Sequence, residues 1–199
     1  LSDEITRISE TTEFNTMTLL DGNIDRKSYS SDSSVNLVSL SDTVEVGNYS
    51  LDIEQDARQA VIVGSLKDFD PTYEITADEA GTININGEAV TVSAGQTISE
   101  VFKNIQDACD KVDVQVFGSK TTPPAIGTDI ETAGYAVDGL VDDSSLVFVS
   151  KDYGSKEEIR MFCSDPELGT LLGLTTVETT AKGVDAVASV NISTTSKFN

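Results

Sequence analysis

The stretch Thr82–Asp113 constrains the fold of this chain more than any other part of the sequence. Its first half holds two alternating apolar runs on either side of Asn86-Gly87. Asn and Gly both tolerate the positive φ angles of a type I′ turn, so this arrangement is the strongest short-range signal for a β-hairpin. The hairpin is predicted to carry its apolar side chains at Ile83, Ile85, Val90 and Val92.

A helix is predicted directly after the hairpin. Thr97 and Glu100 have the spacing of a capping box, in which each side chain satisfies a backbone N–H at the helix start. The residues that follow form one apolar stripe at helical spacing, Ile98, Val101, Phe102, Ile105, Ala108 and Cys109. A strand at 112–117 comes next, so the whole stretch is a β-hairpin–helix–strand unit.

Most of the remaining sequence is predicted to form strands. Tyr49, Leu51 and Ile53 alternate with polar residues and predict a half-buried strand, with Val61 and Val63 in its neighbour. Further strands are predicted over 146–149, 159–163 and 184–192, and short helices over 2–12 and from Asp165-Pro166 to Gly173. The predicted fold class is α+β, mainly antiparallel β with a few short helices.

The charge of the chain excludes two classes of partner. Thirty-four Asp and Glu residues oppose 13 Lys and Arg, which gives a formal net charge of -21. Such a surface repels phosphate backbones and anionic lipids, so neither a nucleic acid nor a membrane surface is an expected partner. The sequence also lacks a run of the roughly 20 apolar residues that a membrane helix needs.

The sequence shows no recognisable catalytic motif, and its carboxylates are so abundant that no single pair is informative. The chain contains no His, which removes the commonest general base, the commonest zinc ligand and every Ser-His or Cys-His pair. Gly154-Ser155-Lys156 lacks the upstream glycine of a phosphate-binding loop. The acids at Asp138-Gly139 and Asp142-Asp143 suit turns better than a calcium loop. We therefore predict no catalytic residue, no cofactor and no metal site, and hence no enzyme.

The two cysteines, Cys109 and Cys163, both fall on apolar faces. Cys109 lies on the helix stripe, and Cys163 is in phase with Ile159 and Met161 on a strand. Two interpretations remain open: the cysteines are a pair of buried thiols, or they form a disulfide between helix and sheet. A catalytic thiol is disfavoured because no base lies beside either cysteine in the sequence.

The first 22 residues resemble the N-terminal region of bacterial flagellins. There, the last part of a filament-core helix runs into a "TEFNG…LLDG" turn, and this chain has Thr12-Glu13-Phe14-Asn15 and Leu19-Leu20-Asp21-Gly22. Thr16 departs from the usual Gly. The resemblance implies structural roles for Ile5, Ile8, Phe14, Asn15, Leu19 and Leu20.

Residues of about 47–175 resemble the "IN" module of flagellins, hook-associated proteins and filament caps. The pieces occur in the family order: Gly47–Leu51, then Ile83–Gly87, then the helix through Ile105, then Leu171–Leu174. The Ile-Asn pair frequent in that helix is Ile105-Gln106 here. The resemblance implies structural roles for Asn86, Gly87 and Ile105.

Together these resemblances imply a structural subunit of the flagellar filament, secreted by the flagellar export apparatus and used in motility. Residues 1–30 would end a filament-core segment, and 31–199 would form an outward-facing variable domain. Its partners would be other flagellin subunits, bound through terminal helices expected outside this chain, which by itself would be a monomer. The alternatives are a hook-associated or filament-cap protein, or a surface-displayed adhesive module with a concave aromatic site.

Overall fold

The structure, a computed structural model, describes residues 13–14, 17–18, 28–33, 38–39, 41, 43–119, 140 and 143–193. The chain divides into two compact units. One consists of Leu1–Tyr49 together with Ile192–Asn199, and the other of Ser50–Asn191. The site described below lies within the second unit.

The first unit contains one short hairpin among its described residues. Strand β1 (Glu13–Phe14) pairs antiparallel with β2 (Met17–Thr18), with Phe14 opposite Met17. The helix predicted over 2–12 lies outside the described residues.

Strands β3 (Asn48–Gln55) and β11 (Val187–Ser193) pair as a two-stranded ribbon. Asn191 Nδ2 donates to an Asp52 carboxylate oxygen at 3.1 Å, so these two side chains share one face of the ribbon. Because side chains alternate along a strand, the apolar residues of β3 lie on the other face. They are Tyr49, Leu51 and Ile53, which are 41%, 45% and 56% exposed.

The strand predicted at Tyr49–Ile53 is confirmed, but it is exposed along its whole length rather than half-buried, and the neighbour predicted for it is wrong. Val61 and Val63 belong to β4 (Val61–Val63), which pairs with a different strand in a second sheet. The polar link before β4 explains the change of sheet. Arg58 bridges to Val184, and the Ala60 N–H donates to Ser150 Oγ at 2.9 Å, which directs the chain into the interior.

Two antiparallel sheets build the body of the second unit. The first has four strands in the order β10 (Thr179–Lys182), β9 (Glu158–Cys163), β5 (Gly81–Ile85) and β6 (Glu88–Val92). The second has three, in the order β4, β8 (Ser145–Ser150) and β7 (Val114–Ser119). The last predicted strand was placed from Val184, whereas β11 begins at Val187 and β10 was not predicted.

Helix α1 (Ile98–Lys111) contacts β6 and β7, one strand from each sheet. Its capping box is formed as predicted: Thr97 Oγ1 accepts from Glu100 N at 3.3 Å, and Glu100 Oε2 accepts from Thr97 N at 2.8 Å. All six residues of the predicted stripe are buried. The predicted strand at 112–117 starts two residues later, because Val112 caps the helix.

One apolar core joins α1 to both sheets. It is built mainly from aliphatic side chains of β5, β6, β9 and α1, as the scarcity of aromatic residues requires. Helix α2 (Pro166–Leu172) adds Leu168 and Leu172, and it ends at Gly173 with a φ of 70°, as predicted. The α+β fold class, dominated by antiparallel strands, is confirmed.

Candidate functional site

The turn between β5 and β6 has the geometry that Asn-Gly predicts. Asn86 and Gly87 have φ angles of 50° and 90°, and Ile85 pairs with Glu88 across the turn. This is the two-residue type I′ connection, whose twist matches that of the strands it joins. The Gly87 N–H donates to Asn84 Oδ1 at 3.0 Å, which fixes the Asn84 side chain beside the turn.

Asn86 also attaches the hairpin to β9 through three hydrogen bonds. Its own N–H donates to the Arg160 carbonyl oxygen at 2.9 Å. Its side-chain Oδ1 accepts from Arg160 N at 2.8 Å, and its Nδ2 donates to the Glu158 carbonyl oxygen at 3.0 Å. The side-chain amide therefore acts as an extra peptide group and continues the β5–β9 ladder past the end of β5.

Charged side chains surround this attachment point. The Glu158 carboxylate accepts from Lys182 Nζ at 2.9 Å and from Arg160 Nε. Hydrogen bonds from these two partners hold the pKa of the Glu158 carboxyl below its usual value, and the bond from Lys182 has the larger effect. On the other side of the hairpin, Lys111 of α1 pairs with Glu88 of β6 at 2.5 Å between Nζ and Oε1.

The hairpin and β9 border an open groove of about 410 Å³. The core face of this sheet carries Ile83, Ile85, Ile159 and Met161, so the alternate residues that line the groove lie on the outer face. The β5–β9 register places Asn84 directly opposite Phe162, which is half-buried. The lining residues are Asn84, Asn86, Gly87, Glu158, Arg160, Phe162 and Glu178.

The residues predicted from the family resemblance are distributed over different parts of the chain. Asn86 and Gly87 form the hairpin turn beside the groove, while Ile105 is fully buried in α1. Phe14 lies in β1. The remaining motif residues, Ile5, Ile8, Asn15, Leu19 and Leu20, lie outside the described residues. Their structural roles stay predictions.

Sequence reasoning did not single out the groove residues Glu158, Arg160, Phe162 and Glu178. One signal was available, because the alternation of Ile159, Met161 and Cys163 places 158, 160 and 162 on the opposite face. That signal identifies a solvent face but not which strand lies next to it.

Both cysteines are buried and free. Burial raises the pKa of the Cys109 thiol to about 12, and burial likewise raises the pKa of the Cys163 thiol. Cys163 Sγ donates to the Asp165 carbonyl oxygen at 3.3 Å. Of the two alternatives from the sequence, the structure has the buried thiols and not the disulfide.

Among the residues that the structure describes, no group of three or more His, Cys, Asp or Glu side chains is placed to hold a metal ion. Asp143 lies in a turn with a φ of 58°, and Asp138, Gly139 and Asp142 are outside the described residues. No helix in the described part of the chain is long and apolar enough to span a membrane.

Comparisons with known proteins give structural similarity only. No protein-family model matches the sequence, and no curated protein matches it. The chain is similar in structure to the D2-D3 domains of the flagellar cap protein FliD from Serratia marcescens, at 18% identity and a TM-score of 0.46, over 76% of this chain and 78% of that one. It is also similar to the same domains of FliD from Escherichia coli, at 14% identity and a TM-score of 0.46, over 76% and 73%. Similarities of this size assign no function to the chain.

Proposed function

We propose that this chain is the outward-facing, non-catalytic part of a bacterial flagellar filament subunit, exported to the cell exterior and used in motility. The support comes from sequence: residues 3–22 resemble the flagellin N-terminal region, and about 47–175 resemble the module shared by flagellins, hook-associated proteins and caps. The boundaries proposed are a filament-core segment at 1–30 and an outer domain at 31–199.

The observation that carries the proposal is that the module residues hold the fold together through their own contacts. Asn86 attaches the hairpin to β9, Gly87 closes the turn, and Ile105 is buried at the centre of α1. A motif whose residues specify a scaffold, rather than line a reaction centre, is typical of a structural module. The buried and weakly acidic thiols fit the same conclusion.

The proposed partners are other subunits of the filament. At a net charge of -21, copies of this chain repel one another, so assembly must rest on surfaces other than its acidic exterior. The alternative is a hook-associated or filament-cap protein, the second being the class of the two solved structures named above.

Excision of the second unit from the natural protein tests the proposal. The chain enters and leaves Ser50–Asn191 through β3 and β11, which are neighbouring strands, so a short Gly-Ser linker can join the cut ends. In cells that make only this variant, we expect filaments of reduced diameter by electron microscopy. The matched control carries the same linker with the unit reinserted.

Two outcomes would contradict the proposal. Secreted but unassembled variant protein would mean that the unit is needed for polymerisation. Filaments of unchanged diameter would mean that the chain is not in the filament wall. That result would favour the alternative of a filament-cap protein.

A further inference from the structure

We propose that the groove beside the β5–β6 hairpin binds a neutral saccharide. This inference goes beyond the proposed structural function, because the groove lies on the outer face of the sheet and takes no part in the core. It would make the unit a recognition surface as well as a scaffold.

The groove offers hydrogen-bonding groups that the fold does not use. Asn84 Oδ1 accepts from the Gly87 N–H, and Asn84 Nδ2 has no hydrogen bond among the residues described. Arg160 donates to Glu158 through Nε, and its two terminal nitrogens have no hydrogen bond within the described part of the chain. Glu178 adds carboxylate acceptors. Planar donors and acceptors in one small space match the closely spaced hydroxyl groups of a sugar ring.

Phe162 supplies the apolar part of the site. Its ring is half-buried on a face that is otherwise polar, and it stands opposite Asn84 in the register of β5 and β9. An aromatic ring surrounded by polar tips suits a ligand with one apolar face and hydrogen-bonding edges. A sugar ring, with C–H groups on its face and hydroxyls at its rim, has that form.

Local charge selects a neutral ligand. Two carboxylates, Glu158 and Glu178, and one guanidinium, Arg160, line the groove. Lys182 pairs with Glu158 from outside the lining, so these four charges balance although the chain as a whole carries -21. An anionic ligand would be repelled by the field of the whole chain. At Glu158 a cationic ligand would compete with Arg160 and Lys182, which already bind that carboxylate, and at Glu178 it would be repelled by the nearby Arg160 guanidinium.

The site is preformed but shallow. The three Asn86 hydrogen bonds fix the hairpin to β9, so the two walls of the groove keep their spacing without ligand. An open groove of about 410 Å³ holds one or two sugar rings and leaves one side in water. We therefore expect a Kd on the order of 1 mM, since few contacts offset the loss of ligand freedom.

The test is an NMR titration of the full chain, labelled with nitrogen-15. The neutral probes are methyl β-galactoside, methyl α-mannoside and methyl N-acetyl-β-glucosaminide; glucuronate and glucosamine are the anionic and cationic probes. We expect saturable shifts of the Asn84, Arg160 and Phe162 amides with at least one neutral probe. The charged probes should bind at least tenfold more weakly.

Two variants locate the binding. Asn84→Asp keeps the acceptor for Gly87 but removes the free amide donor, and Phe162→Val removes the ring while keeping a residue that suits a strand. Each should weaken binding at least tenfold. Thr91→Ala is the matched control, because Thr91 is exposed on β6 and does not line the groove.

Three results would overturn the proposal: no saturable shift with any neutral probe at concentrations far above the expected Kd, equal binding of the charged probes, or unchanged affinity in both groove variants. Circular dichroism of each variant shows whether it is folded. If one variant unfolds, the other still decides whether the groove is the binding site.

Discussion

Replacement of Asn86 separates the two tasks of this residue, which are to adopt a positive φ and to bind β9. Asn86→Gly keeps the turn conformation and removes the side-chain amide. Asn86→Ala removes the amide and also places a Cβ at a φ of 50°. Asn86→Asp keeps the turn and the acceptor for Arg160 N but loses the donor to the Glu158 carbonyl.

The magnitudes follow from these contacts. Each lost hydrogen bond near the surface costs about 0.5–1 kcal/mol, so Asn86→Gly should lower the free energy of unfolding by about 1–2 kcal/mol. The left-handed conformation costs an Ala residue roughly 1–2 kcal/mol more. Asn86→Ala should therefore lose about 2–4 kcal/mol, the largest loss of the three.

Urea denaturation measures these losses, and hydrogen exchange at the Arg160 amide reports the side-chain contact directly. The Arg160 N–H should exchange faster in the Gly variant and stay protected in the Asp variant, which retains the Oδ1 acceptor. Equal stabilities of the Gly and Ala variants would refute the role of the turn conformation. A Gly variant as stable as the natural chain would refute the role of the amide.

Three further predictions concern the core, the thiols and the ion pairs. Phe102→Ala should cost about 3–5 kcal/mol in denaturant melts because the ring is buried in α1, whereas Lys103→Ala beside it should stay within about 0.5 kcal/mol. Cys109 and Cys163 should resist a thiol reagent at neutral pH and both react in urea, because burial raises the pKa of each thiol; rapid reaction of the folded chain would contradict this burial. The pKa of Glu158 is lowered in the folded chain, so the contribution of Glu158 to stability is full above the ordinary pKa of 4.5 and is lost as the pH falls through the lowered pKa. Glu158→Gln should flatten that acid-dependent loss in melts at a series of pH values, and an unchanged pH profile would show that the ion pairs contribute nothing.

The features predicted correctly from sequence are those whose signals lie within a few neighbouring residues. Asn86-Gly87 specifies its turn by backbone preference alone, and Thr97 with Glu100 specifies the start of α1 by two local hydrogen bonds. The stripe of α1 also follows from spacing, because a helix has a fixed period. These features needed no knowledge of the rest of the chain.

The pairing of distant strands could not be predicted in the same way. β3 pairs with β11, and their contacting residues Asp52 and Asn191 are 139 positions apart in the sequence. β9 pairs with both β5 and β10. Alternation shows which residues share a face but does not identify the neighbouring strand. β10 was missed because Thr179–Lys182 holds almost no apolar residue. The groove depends on these pairings, so it could not be found from the sequence either.

The position of this chain on the cell is the most direct test of the proposed function. Ser99 is exposed on α1, so Ser99→Cys provides a reactive thiol, whereas the two natural thiols are buried with raised pKa values. Living cells that make the variant are labelled with a membrane-impermeant maleimide dye, with cells making the natural protein as the control. The account predicts dye along the whole length of each flagellar filament. Dye confined to the filament tip or to the hook junction would identify a cap or hook-associated protein, and labelled protein without any association with flagella would contradict the central claim.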